Sequence, residues 1–340
     1  MGVASAFSMA SALRWYEPKA VFEIMTRTIQ ERLLLLPSQE ARILVLGVIA
    51  RALATYPAVS VYAFSVLSNH YHLLASARDG WSLAPFIGYI NSNIAREMGR
   101  LHGWRGKFWS DRASVIRITD DDALVARMEY VVAQGVKEGL VACAQDWSGA
   151  SSTPALLGDM TLRGVWVNRD RETRAARRQR ATDERFDEQL TLRLTPIPQW
   201  AHLSPEALRS KHEALVARAN AAASAMRTAP PLGMSAVLAQ DPHDSPAQSK
   251  RARRPPCHAS TLEARSRFLT AFRGFVAAFR EAAAAVKDTA AALFQRFPLH
   301  SFPRPLVYVA EPAPRVAGVR ADQRPPGQPP SSSLPPVLQG

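Results

Sequence analysis

His70 and His72 stand one residue apart in the run Leu67-Ser68-Asn69-His70-Tyr71-His72-Leu73-Leu74. Successive side chains of a β-strand alternate between faces, so on a strand both imidazoles project the same way. Such a pair suits two ligands of one metal ion, or two sheet-face histidines hydrogen-bonded to neighbours, and the spacing alone leaves both readings open. Further along, Tyr130 and Gln134 are one helical turn apart, which stacks a phenol and an amide oxygen on one helix face. The plain alternative there is a tyrosine ring packed on a sheet beside a solvated glutamine. Taken together, two imidazole nitrogens and an amide oxygen would hold a divalent cation with positions left for a phosphate oxygen and water. A tyrosine next to that ion could attack phosphorus and form a covalent phosphotyrosine, which keeps the bond energy for rejoining. A hydrolase that uses water needs no such tyrosine, so a metal-dependent phosphoesterase explains the histidines alone.

These residues need a scaffold. Residues 21–28 are β-branched and aromatic enough for a strand, and residues 39–55 carry apolar positions too continuous for a surface stripe, as in a helix packed on a sheet. Residues 59–67 and 70–75 read as a strand pair around Ser68-Asn69. Ser82 is placed to cap an amphipathic helix that His102-Gly103 ends. Residues 114–118 form a further strand, and Asp120, Asp121 and Asp122 open a helix to about residue 133, where Gly135 is placed to end it. Those three acids suit the positive end of the helix dipole better than a metal. The order strand, helix, strand, strand, helix, strand, helix predicts an α+β fold, a ferredoxin-like antiparallel sheet with helices on one face. A basic, mainly helical C-terminal region is expected to follow.

The sequence has 340 residues, 47% of them hydrophobic and 21% charged, which excludes a fully disordered or collagen-like chain. Its net charge of +13 favours a polyanionic partner. The surplus is uneven: residues 19–146 hold 14 basic and 12 acidic side chains, against 27 and 16 from residue 151 onward. Two distant cysteines, Cys143 and Cys257, make neither a disulfide framework nor a cysteine zinc site. The most apolar stretch, residues 43–54, is interrupted by Arg51, and the first residues lack a basic segment followed by a long apolar run. Neither a membrane span nor a secretory signal is expected, and a cytoplasmic location is.

Three ordered motifs resemble one family. The run 67–74, the stretch 91–98 with Phe108-Trp109, and residues 129–141 (Glu-Tyr-Val-Val-Ala-Gln-Gly-Val-Lys-Glu-Gly-Leu-Val) are similar to the REP-associated tyrosine transposases, a branch of the single-tyrosine HUH transposases. The resemblance covers residues 21–141. It implies an HUH-endonuclease fold, Mg²⁺ or Mn²⁺ as cofactor, and cleavage of single-stranded DNA at hairpin-bearing element ends by a monomer or homodimer. Carried over, His70 and His72 are the metal-binding pair, Tyr130 is the nucleophile and Gln134 is the third ligand. Ser68 stands where the family usually has proline, and residues 134–139 replace its common Asn-Pro-Val-Ala-Gly stretch; neither change removes a catalytic group. A catalytically silent DNA-binding derivative of such a transposase is the rival reading.

On this reading residues 1–18 are an N-terminal extension, 19–150 the catalytic domain, 151–255 a basic helical and linker region, 256–310 a helical segment and 311–340 a disordered proline-rich tail. Residues 163–185 carry eight arginines and four acids, commonly a charged helix surface. Arg96, Arg100, Arg105, Lys107 and Arg112, with Trp109 among them, are candidates for phosphate contact and base stacking on DNA.

Overall fold

A computed structural model describes residues 13–177, 186–246, 254–288 and 297–301, all within the unit Met1–Phe302. The expected tail and most of the N-terminal extension lie outside the described residues. Strands β1 (Val21–Arg27), β2 (Val59–Val66), β3 (His70–Ala77) and β4 (Ser114–Ile118) alternate with helices α1 (Gln39–Thr55) and α2 (Leu83–Leu101). Then come α3 (Asp121–Val132), α4 (Gln134–Lys137), α5 (Thr153–Leu157), β5 (Thr161–Val167), α6 (Arg169–Arg177), β6 (Asp187–Arg193), α7 (Pro205–Ala225), α8 (Met234–Leu238), β7 (Cys257–His258) and α9 (Leu262–Asp288).

The main sheet runs β2-β3-β1-β4-β7. Its first four strands pair antiparallel in the ferredoxin-like order, as the element sequence predicts. The fifth, β7, pairs parallel to β4 through Arg117↔Cys257 and Ile118↔His258, so the full sheet is mixed. At the other edge β2 is covered by residues 150–152, with Val66 N–H donating to the Ala150 carbonyl and Ser152 N–H to that of Phe64. Residues 150–152 thereby shield the β2 edge, and β7 covers β4.

Alternation fixes the two faces. Opposite His72 and His70 on β3 lie Met25 and Arg27 on β1, with Glu23 one step further along the same face. Tyr71, between the histidines, points to the opposite face and donates to Asn91 Oδ1 of α2 at 2.7 Å. The face beneath α1 and α2 is the expected packed layer. The His70 and His72 face is covered by α3, so the sheet carries helices on both sides: the strand pattern places α1 and α2, and the burial of Glu23, His70 and His72 follows from α3 lying across them.

Helix α1 explains its own lack of amphipathicity. The antiparallel hairpin β5–β6 lies on it, opposite the sheet side, so nine of its residues are buried around the circumference. The approach is backbone to backbone: a Cβ on Gly47 would overlap the Val165 carbonyl, and one on Gly164 would overlap the Gly47 amide nitrogen. Part of the arginine-rich stretch is therefore a strand, with α6 after it, and no single charged helix spans it. Two end signals also fall elsewhere. Asp79 caps the start of α2 by accepting from the Ser82 amide and hydroxyl, and Ser82 makes no cap bond of its own. Gly135 sits buried inside α4, where a Cβ would come within 3.1 Å of Val141, while Gly139 at φ 68° ends that turn.

Candidate active site

Each histidine is held from behind. His70 Nδ1 is 2.7 Å from Asn69 Oδ1, and His72 Nδ1 is 2.7 Å from Glu23 Oε1. Both oxygens can only accept, so both Nδ1 atoms carry the proton and each Nε2 is left with its lone pair. Burial keeps the rings neutral: desolvation pushes His70 well below its ordinary pKa, helped by the neighbouring His72, and lowers His72 despite the opposing pull of Glu23. The ring centroids are 5.3 Å apart. Asn69 is gripped at both ends of its amide, since its Nδ2 donates to the Glu31 carbonyl at 3.2 Å.

Helix α3 brings the other half. Asp120 accepts from the Ala123 amide at 2.8 Å and Asp121 and Asp122 occupy the first turn, so the three acids are structural as read. Tyr130 lands edge-on against His72, centroids 5.4 Å apart. Its hydroxyl accepts from Lys137 Nζ at 3.1 Å, and the Arg127 guanidinium lies 3.6 Å from the ring centroid. Gln134 is fully buried; its Nε2 donates to the Tyr130 carbonyl at 2.9 Å, and its Oε1 has no hydrogen-bond partner. The Gln134 side chain stands close enough to His70 to favour that ring's protonated form. His70, His72, Tyr130 and Gln134 thus converge, although their elements are separated along the chain.

Four residues of the cluster went unread in the sequence. Glu23, 3% exposed, is its electrostatic centre. Oε1 meets His72 Nδ1 and, at 2.6 Å, Arg127 Nη2; Oε2 lies 2.6 Å from His258 Nε2. Burial opposes its ionisation, but contacts from His258 and His72, then Arg127, outweigh that and hold the carboxyl far below the usual carboxylate range. A lone acid inside an apolar strand was the available signal for Glu23. Arg127 and Lys137 are one turn before and two turns after Tyr130, a spacing that would have found them. His258 had no local signal.

The donor chemistry fits a divalent cation. Two buried imidazoles with fixed tautomers and an unpartnered buried amide oxygen are a set that a cation would satisfy, with Asn69 and Glu23 behind the histidines as outer partners. Among the described residues, no three His, Cys, Asp or Glu side chains are grouped for a metal, so Gln134 is the third donor on hand.

The proposed DNA-contact residues scatter. Arg96 donates to Asn93, and Arg100 faces Glu172 at 3.6 Å. Trp109 is half-buried, anchored through its indole N–H to the Asn91 carbonyl and in T-shaped contact with Tyr71. Arg105 and Lys107 are exposed on the loop after α2. Arg112 lines a cleft of about 710 Å³ with Arg14, Arg254, Trp15, Phe268 and Phe272, none of them part of the histidine cluster.

No protein-family profile and no curated protein matches the chain. Among solved structures it is similar to a REP-associated tyrosine transposase bound to a REP hairpin, at 19% identity and TM-score 0.36, over 42% of this chain and 82% of that one. It is also similar to a candidate transposase from Deinococcus radiodurans R1, at 17% identity and TM-score 0.27, over 37% and 97% of the two chains. No helix among the described residues is long and apolar enough to cross a membrane.

Proposed function

We propose that this chain is a metal-dependent transposase or endonuclease that cleaves and rejoins single-stranded DNA, at hairpin-bearing ends, through a phosphotyrosine on Tyr130. The observation that carries the reading is the convergence of a tyrosine hydroxyl, two tautomer-fixed imidazoles and an orphaned amide oxygen in one cluster beneath α3. His70 Nε2, His72 Nε2 and Gln134 Oε1 would hold Mg²⁺ or Mn²⁺, which when bound would polarise the scissile phosphate and absorb developing charge. Tyr130 gives its phenolic proton to solvent as Oη forms the new bond to phosphorus; the bridging oxygen of the broken linkage leaves and takes up a proton from solvent as a free hydroxyl. Attack by a second strand end reverses the exchange. Lys137, donating to Oη, and Arg127, on the ring, place positive charge where the attacking oxygen carries negative charge. Glu23 and Asn69 keep the imidazoles oriented. Arg112, Arg105 and Lys107, with Arg14 and Arg254 of the cleft, supply phosphate contacts for the strand.

The test incubates the full-length protein with labelled hairpin-bearing single strands and Mn²⁺, then looks for a denaturant-resistant adduct. Tyr130→Phe is expected to abolish the adduct while strand binding stays within a few fold. His70→Ala or His72→Ala should abolish cleavage with binding retained. Peptide mapping that finds the DNA on another residue, or full cleavage by either histidine variant, overturns the reading.

A further inference from the structure

The catalytic cluster does not close within the ferredoxin-like core. Glu23 has two carboxylate oxygens buried under α3. Oε1 takes both His72 and Arg127, and among the described residues Oε2 meets His258, at 2.6 Å. The ring presents Nε2 to Oε2 at ion-pair distance, off the line of an ideal N–H···O bond, and that contact is the first of those that lower the Glu23 carboxyl. His258 belongs to β7, a strand of two residues beyond the basic linker. The His258 carbonyl accepts from the Thr119 amide and hydroxyl, both at 3.0 Å, and two residues on Ser260 N–H donates to Asp120 Oδ2 at 3.0 Å, at the start of α3. The segment is therefore bolted to the N-cap of the same helix that carries Arg127 and Tyr130.

We infer that His258 is a positioning residue of the active site, holding the Glu23 carboxylate so that Glu23 in turn fixes His72 with Nε2 facing the metal pocket. The inference rests on the metal reading given above. Arg127 alone constrains only one oxygen of the carboxylate, and it also serves the Tyr130 ring. With Oε2 unpartnered, a buried carboxylate would turn to recover a donor, since an unsatisfied buried acceptor is costly, and the Nδ1–H of His72 would lose its fixed acceptor. The working site then extends from residue 23 to residue 258, past the 19–150 boundary that the motifs suggest.

Two substitutions in the full chain separate positioning from packing. His258→Leu keeps apolar bulk and removes the polar nitrogen at Oε2; His258→Gln returns a polar nitrogen at similar reach and alters the packing. Two readouts are used: the affinity for Mn²⁺ alone, by electron paramagnetic resonance of the free ion, and the protected Nδ1–H signal of His72 in metal-free, ¹⁵N-labelled protein. Loss of an outer-shell partner lowers metal affinity about tenfold or more. His258→Leu is thus expected to bind Mn²⁺ about tenfold more weakly and to lose the His72 signal, with His258→Gln within about threefold of wild type and its signal retained. The inference is overturned if the leucine variant matches wild type in both readouts, or if glutamine fails where leucine succeeds, which is the signature of packing. Should wild-type protein bind no Mn²⁺, the metal reading fails by itself. The His72 signal in the two variants then still decides the role of His258.

Discussion

Glu23→Gln changes one oxygen for an NH₂ and leaves the shape of the side chain alone. In the better of its two orientations the amide oxygen keeps His72 and Arg127, and the NH₂ faces His258, whose ring can move its proton to Nδ1 and accept. What remains is a guanidinium that has lost its counter-charge. The Arg127 side chain is only 17% exposed, and removing one partner of a buried pair costs about 3–5 kcal/mol. Because Arg127 keeps the Tyr130 ring, and because the desolvation of the carboxylate itself is relieved, the low end applies, about 3 kcal/mol. For a domain of this size that corresponds to a fall of roughly 6–12 °C in Tm. Urea unfolding at pH 7.5 measures it directly. The pH dependence has a defined sign: the folded carboxyl is depressed, so its contribution is full above the unfolded value near 4.3 and is lost as pH falls toward the folded one. The amide of the Glu23→Gln variant does not titrate, so the gap between the two proteins should begin to narrow only below about pH 4.3. A loss under about 1 kcal/mol at pH 7.5, or a gap that widens in acid, would refute the account of Glu23 as the charge centre.

Gly47→Ala should destabilise by about 3 kcal/mol, because its Cβ would overlap the Val165 backbone and the β5–β6 hairpin has to lift off α1; an unchanged urea midpoint contradicts that crossing. Lys137→Met removes the donor to Tyr130 Oη and is expected to slow adduct formation about 10²–10³-fold in single-turnover assays while strand affinity changes little; a rate within about threefold of wild type shows that the lysine does not serve the reaction. Burial in α7 lowers the pKa of His212, with the Leu156 backbone opposing, so the unfolded chain gains a proton below about pH 6.5 that the folded one resists. His212→Leu should therefore flatten the acid-side loss of stability by up to about 1.4 kcal/mol per pH unit below about pH 6.5, and parallel profiles for the two proteins count against a neutral buried ring.

The strand order and the site motif were legible because both are written locally. Period-two alternation places β1 to β4; the His70/His72 pair lies on one face of one strand, and Tyr130 and Gln134 stay one turn apart across the junction of α3 and α4. What escaped depends on distance along the chain. The β5–β6 hairpin hid because Arg163 and its neighbours read as a charged helix, while the decisive feature was Gly164, whose missing side chain has meaning only against Gly47. Glu23 advertised itself as an acid in an apolar run, but its partners could be found only after α3 was laid across the sheet. Trp109 showed its aromatic type, while the anchoring of its N–H by Asn91 could be seen only in the fold. His258 is the limiting case, because parallel pairing with Ile118 leaves no short-range pattern at all.

That pairing with β4 also orders events during synthesis. Thr119 and His258 are bonded across a sequence separation of 139 residues, and at ~5–20 residues per second a ribosome needs roughly 7–28 s to travel between them. Throughout that interval the nascent core has β4 as an open sheet edge, and Glu23 Oε2 lacks its His258 contact. The histidine pair and the tyrosine are already made by then, yet the carboxylate behind them is only partly anchored. A nascent chain, or one released early, consequently holds His70, His72 and Tyr130 before the strand that reaches Glu23 exists. Its edge strand is free to recruit another chain until the short strand arrives to close it.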